Sequence, residues 1–97
     1  MKPVRLAVVG VGLIGIRHAQ LIRSHERCAL VGLCDVDPSR QALADSFGVP
    51  FYTSVEELIE RERPAGVVIA TANATHAAVA EICARRSVHV LIEKPIA

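Results

Sequence analysis

The chain has 97 residues, 52% of them hydrophobic and 22% charged, with 11 Lys and Arg against 10 Asp and Glu for a net charge of +1. That length allows one domain with a modest core, and the composition is too apolar and too weakly charged for disorder. The near-neutral balance argues against a nucleic-acid partner, which needs a basic face, and no apolar run approaches the ~18 residues of a membrane span.

The start, Met1 to Arg5, is charged, but the apolar stretch behind it is broken by glycines and lacks a small-residue cleavage site, so it does not read as a signal peptide. Val4 to Val9 is apolar apart from Arg5 and predicts a strand buried on both faces. Leu13, Ile14, Ile16, Leu21 and Ile22 then recur at helical spacing up to about Ser24, with Arg17, Gln20 and Arg23 outside. Ala29 to Cys34 is a second buried strand. Asp37-Pro38 opens a helix, Asp as cap and Pro just inside, which runs to Phe47 and ends at Gly48. Pro50 to Tyr52 is a short third strand. Ser54 with Glu57 forms a capping box for a helix from Val55 to Arg63, which Pro64 stops. Gly66 to Ala70 is the fourth strand, about His76 to Arg86 the fourth helix and Val88 to Ile92 the fifth strand. Strands of about five residues alternating with helices of about ten predict an α/β domain over 1–97, a doubly wound parallel sheet of Rossmann type with five strands and four helices.

Cys28, Cys34 and Cys83 are odd in number and include no Cys-x-x-Cys pair, which points to three reduced thiols in a cytoplasmic protein. His18, His25 and His89 have no companions at metal-ligand spacing, so no metal site is expected. Phe47, Phe51 and Tyr52 are the only aromatics and lie close together, which leaves an aliphatic core and no spread of stacking platforms for bases.

Between the first strand and first helix stands Gly10-Val11-Gly12-Leu13-Ile14-Gly15. A G-x-G-x-x-G alone is weak evidence. Its place after a buried strand and before a helix, with Asp35 closing the next strand about 20 residues on, gives it weight as a dinucleotide-binding turn. Gly10 allows the tight turn, Gly12 lets a diphosphate approach the backbone, and Gly15 lets helix and strand pack closely. The amides around Leu13 and Ile14, at the positive end of the helix dipole, hold the anion, while Asp35 accepts from the adenosine ribose hydroxyls. A Walker P-loop is excluded because Gly15-Ile16-Arg17 stands where Gly-Lys-Ser/Thr is required. A methyl-donor-binding fold usually carries an acid before its glycines, where this chain has Val8 and Val9. The Asp35 carboxylate repels a 2′-phosphate and favours NAD over NADP. Arg40, one turn into the next helix, keeps NADP possible.

Two further segments follow the strands at whose carboxyl ends this fold places ligands: Thr71-Ala72-Asn73-Ala74-Thr75-His76 and Glu93-Lys94-Pro95. With the glycine turn and the run Cys34-Asp35-Val36-Asp37-Pro38, they make the whole chain resemble the N-terminal domain of the glucose–fructose oxidoreductase, inositol dehydrogenase and rhizopine-catabolism (Gfo/Idh/MocA) family. Glu93-Lys94-Pro95 is the most specific of these marks. The resemblance implies that Thr71, Ala72 and Asn73 line the pyrophosphate and nicotinamide ribose, that His76 closes that loop, and that Glu93 lies near the nicotinamide. It makes Lys94 the catalytic residue, binding the reacting hydroxyl and assisting proton movement. A Lys at a strand's carboxyl end, partly desolvated beside a cofactor, suits that role. Pro95 following a cis bond would aim Lys94 into the cleft. The chain departs from the family pattern twice. Ala72 stands where Pro is frequent, which loosens the turn, and Ser87 stands where Gly is common after the fourth helix, at a cost of about 1 kcal/mol if that residue is left-handed.

The resemblance further implies a parent oxidoreductase that transfers hydride between a nicotinamide cofactor and a sugar, cyclitol or related polyol, with a substrate domain beyond Ala97. By this reading residues 1–97 are an incomplete dinucleotide-binding domain, inactive alone. A stand-alone dinucleotide-binding or redox-sensing module without catalysis, and a Rossmann-like domain without ligand, are the competing readings. The fifth strand would be an unprotected edge, so a homo-oligomer is expected.

Overall fold

The computed structural model describes residues 2–71 and 73–92, with side chains described outside 73–76 and 92. Strands β1 (Val4–Val9), β2 (Cys28–Cys34), β3 (Phe51–Tyr52), β4 (Gly66–Ile69) and β5 (His89–Ile92) alternate with helices α1 (Leu13–Ser24), α2 (Gln41–Phe47), α3 (Val55–Glu62) and α4 (Asn73–Arg85). All strand pairs are parallel, in the order β3-β2-β1-β4-β5. The chain therefore winds outward from β1 to β3, crosses back to β4 on the other flank of β1, and continues to β5. The β1/β4 border is where the winding reverses, and in such sheets the crevice at that reversal is the ligand site.

A parallel sheet covered on both faces needs strands apolar on both sides, which is why β1 and β4 are nearly continuous apolar runs. On one face Val8, Leu33 and Val68 meet Ala19 and Ile22 of α1 and Ala44 of α2. On the other, Ala7, Val9, Val67 and Ile69 meet Leu58 and Ile59 of α3 and Val79 and Cys83 of α4. Leu33, Leu58 and Ile69 are fully buried, each side chain worth about 1.5–3 kcal/mol of burial. One irregularity interrupts the β1–β2 ladder: Leu6 pairs with Leu30 but Ala7 with Gly32, so Val31 is the extra residue of a bulge. Gly32 follows it because a Cβ there would lie 2.7 Å from Leu58 Cδ1.

Three expectations change. The apolar stripe expected on α1 is only partly its buried face: Ile22 is buried and Ile16 packs against the core. Leu13 and Leu21 are exposed, and Gly15, Ala19 and Ile22 at i, i+4 and i+7 face the sheet, because small residues let the helix start lie almost on β1. The helix expected from Asp37-Pro38 begins as a single 3₁₀ turn, Pro38–Arg40, with the Asp37 side chain accepting from the Ser39 amide, and becomes α-helical at Gln41. Helix α4 starts at Asn73, three residues before His76, so most of the segment expected to be a loop is the first turn of a helix. Among the described residues no helix is long and apolar enough to cross a membrane.

Candidate functional site

The site is built on the glycine turn. Gly10 has φ +95°, and a Cβ on it would stand 2.7 Å from the Ala70 carbonyl carbon, so the turn passes against the end of β4 in a conformation open to glycine. At Gly15 a Cβ would lie 1.8 Å from the Gly10 carbonyl oxygen, which is helix–strand contact through bare backbone. Gly12 differs: φ is −86° and a Cβ would meet nothing within 4 Å. The space over Gly12 is open, at the N-terminus of α1, where the first-turn amides have no partner within the helix.

Backbone bonds tie the strand ends around this turn. Gly10 N–H donates to the Cys34 carbonyl at 2.8 Å, Ala70 N–H to Val9 at 2.8 Å and Asp35 N–H to Tyr52 at 3.1 Å. Asp35, just past β2, accepts from Val11 N–H at 2.8 Å through Oδ2 and from Asp37 N–H at 2.9 Å through Oδ1. The carboxylate is held in one orientation beside the turn. Hydrogen bonds from Ser39, with the Arg40 guanidinium adding to them, hold the Asp37 carboxyl below its ordinary range. Burial, reinforced by the neighbouring Asp35 charge, pushes the Cys34 thiol up to about 12, so it stays protonated and unreactive at neutral pH.

These elements enclose a cleft of about 450 Å³ at the carboxyl end of the sheet, mostly apolar. Of the residues expected from sequence, Gly10, Gly12, Asp35 and Thr71 line it. Leu13, Ile14 and Gly15, the first residues of α1, follow Gly12 in the chain but do not line the cleft, and neither does Arg40. Asn73 and His76 lie in the first turn of α4, and Ala72, Glu93, Lys94 and Pro95 lie outside the described residues. Sequence reasoning passed over Val36, Thr53, Val55 and Ala78, which supply the apolar wall. Val36 and Thr53 were findable, since each stands within two residues of a strand's carboxyl end. A second depression, about 540 Å³, lies at the opposite end of the sheet between α3 and the α4–β5 turn, where Arg86 pairs with Glu60 at 2.9 Å.

The strand order, the reversal-point cleft and the open face over Gly12 are those of a dinucleotide fold, and the family model for the NAD-binding Rossmann fold of the GFO_IDH_MocA oxidoreductases matches residues 4–97. The chain belongs to that family. It is 36% identical over 96 residues to UDP-N-acetylglucosamine 3-dehydrogenase of Acidithiobacillus ferrooxidans, covering 98% of this chain and 29% of that protein. It is 31% identical over 94 residues to myo-inositol 2-dehydrogenase of Thermotoga maritima, covering 95% of this chain and 28% of that one. Among solved structures, GenD2 from gentamicin A biosynthesis in complex with NAD superposes with a TM-score of 0.92 at 32% identity, over 98% of this chain and 28% of that one. This Gfo/Idh/MocA chain thus spans little more than a quarter of the relatives it matches.

Proposed function

We propose that this chain is the NAD-binding part of a dehydrogenase that moves hydride between the cofactor and a sugar, cyclitol or related polyol. One observation carries the reading: an unobstructed glycine at the N-terminus of α1 faces a cleft whose other wall holds a fixed carboxylate, Asp35. An extended dinucleotide needs that pairing, with helix-end amides for its diphosphate and a carboxylate for its ribose. NAD supplies the hydride-accepting ring carbon. The chain's own residues bind, orient and exclude water.

In this reading the first-turn amides of Leu13 and Ile14 hold the diphosphate, Asp35 the adenosine ribose, and Val36, Val55 and Ala78 the adenine. Thr71, Ala72, Asn73, His76 and Glu93 are assigned to the nicotinamide half, and Lys94 to the reacting hydroxyl. The fixed Asp35 carboxylate opposes a 2′-phosphate, and Arg40, which does not line the cleft, has Asp37 beside it, so NAD is preferred over NADP. The polyol substrate is supported by relatives named for inositol and sugar-nucleotide oxidation. The unpaired cysteines fit a reducing, cytoplasmic setting.

Titration with NADH, followed by its fluorescence, tests the reading. Binding in the micromolar to millimolar range is expected, weaker for NADPH. Asp35→Ala lowers NADH affinity about 10- to 100-fold, the loss of one to two charge-assisted hydrogen bonds. Wild-type NADH binding that is undetectable at millimolar concentration would refute it, as would equal affinity for NADPH refute the preference. Hydride transfer to polyols by the 97 residues by themselves is expected to be near zero, because they match little more than a quarter of the length of the dehydrogenases they resemble and hydride transfer depends on positioning.

A further inference from the structure

We propose that Asp35 is a positioning residue for the diphosphate turn as well as a ribose ligand, so that one carboxylate couples the two halves of the cofactor site. Val11 lies between the two cleft glycines and is fully buried against Ala19, Ile22 and Leu33. It precedes α1 and follows β1, so neither element supplies an acceptor for its amide. The acceptor is Asp35 Oδ2, at 2.8 Å across 24 residues of sequence. The other oxygen, Oδ1, accepts from Asp37 at 2.9 Å, while the Asp35 amide donates to Tyr52. The carboxylate therefore bridges two turns, one leading into α1 and one leading out of β2, and its own backbone is anchored to a third strand.

Each carboxylate oxygen carries a second lone pair, which leaves acceptor capacity for ribose hydroxyls with both backbone bonds in place. The Val11 amide, by contrast, is engaged and does not serve an anion. The diphosphate falls to the first-turn amides of α1, whose position depends on Val11 being pinned, with Gly12 the single residue between. The ligand side of this proposal rests on the NAD reading above; the pinning of the turn does not.

Charge and tether predict opposite results. By charge alone, removing a carboxylate near an anion site strengthens anion binding. If the carboxylate shapes the turn, its removal weakens binding even of an anion that has no ribose. Asp35→Asn and Asp35→Ala lose the same charge, but Asn keeps one carbonyl oxygen able to accept from an amide. In the full chain, without ligand, Val11 amide hydrogen exchange by NMR is expected to be at least ~10-fold faster in Asp35→Ala than in wild type, a protection loss of about 1.4 kcal/mol. Inorganic pyrophosphate is expected to bind Asp35→Asn more tightly than Asp35→Ala. Unchanged Val11 exchange in Asp35→Ala, or equal pyrophosphate affinity in the two variants, overturns the proposal. If Asp35→Ala does not fold, Asp35→Asn decides: the two amides bond to different oxygens, one of which becomes an NH2 donor, so retained protection at both Val11 and Asp37 refutes the tether. Wild-type failure to bind NADH sinks the dinucleotide reading alone, and Val11 exchange still decides the tether.

Discussion

The three glycines of the turn do different physical work, and substitution separates them. A methyl at Gly15 would sit 1.8 Å from a backbone oxygen, which no rotamer change relieves. Gly15→Ala is expected to force α1 off the sheet and cost about 1–3 kcal/mol or more, read as a lowered urea midpoint. Gly10 combines a contact at 2.7 Å with φ +95°, so Gly10→Ala should be at least as damaging. At Gly12 the space is open and the backbone ordinary, so Gly12→Ala should change stability by only about 0.5 kcal/mol. Its effect belongs to the ligand: NADH affinity should fall at least ~10-fold, because the methyl occupies the approach to the helix-end amides. Equal loss of stability at Gly12 and Gly15, or full NADH affinity in Gly12→Ala, would contradict this division.

Helix ends carry a second set of testable energies. Helices α2 and α4 close with the same pair of bonds. Gly48 N–H reaches Asp45 and Val49 N–H reaches Ala44 in one; Ser87 N–H reaches Ala84 and Val88 N–H reaches Cys83 in the other. Both closures need a left-handed residue, supplied by Gly48 at φ 70° and by Ser87 at φ 57°. Ser carries a steric cost there that Gly avoids, so Ser87→Gly is expected to stabilise by up to about 1 kcal/mol, raising Tm by some ~4–8 °C per kcal/mol gained. Gly48→Ala should lose about 1 kcal/mol, and Ser54→Ala a similar amount, since the Ser54 hydroxyl caps the Glu57 amide at the start of α3. Much of this was legible in the sequence. Asp37-Pro38, Ser54 with Glu57, and Gly48 mark boundaries because each side chain or φ preference acts locally. The buried face of α1 was only partly so: Gly15 and Ile22 were readable, but hydrophobicity ranks Leu13 and Leu21 above Ala19, whereas the sheet selects for closeness. The start of α4 was missed for a related reason: Thr71 to His76 is rich in residues that serve turns and helix starts equally, and no local signal separates the two. At the site, the glycines and Asp35 could be read from spacing, but the Asp35–Val11 bond joins residues 24 apart and exists only once β1 and β2 are paired.

At the scale of the molecule, the sheet is held at its outer edge by a polar cluster that couples stability to alkaline pH. The Tyr52 hydroxyl at β3 donates to the Glu62 carboxylate at the end of α3. Arg5 of β1 donates to the Glu62 carbonyl at 2.6 Å and lies 3.9 Å from its carboxylate. One residue at the end of α3 thus joins the central strand to the edge strand across the sheet. The hydrogen bond to Glu62, then burial and the Glu62 charge, push the Tyr52 hydroxyl up to about 12, and burial does the same to Cys34 on the neighbouring strand. Both folded values lie above the unfolded ones, so at high pH the unfolded chain holds fewer protons than the folded one. The stabilisation is complete below the unfolded values, near 10 for Tyr52 and 9 for Cys34, and is lost as pH rises through about 12. Urea midpoints should therefore be flat from pH 7 to 8.5 and fall steadily above pH 9. Tyr52→Phe should start from a lower midpoint, having lost the Glu62 bond, and decline less steeply above pH 10. Cys34→Ala should lessen the earlier part of the decline, between pH 9 and 10, to which the Cys83 thiol, also pushed up by burial, contributes as well. Midpoints that fall with the same slope in all three proteins would place the alkaline sensitivity elsewhere in the molecule and detach it from this corner of the sheet.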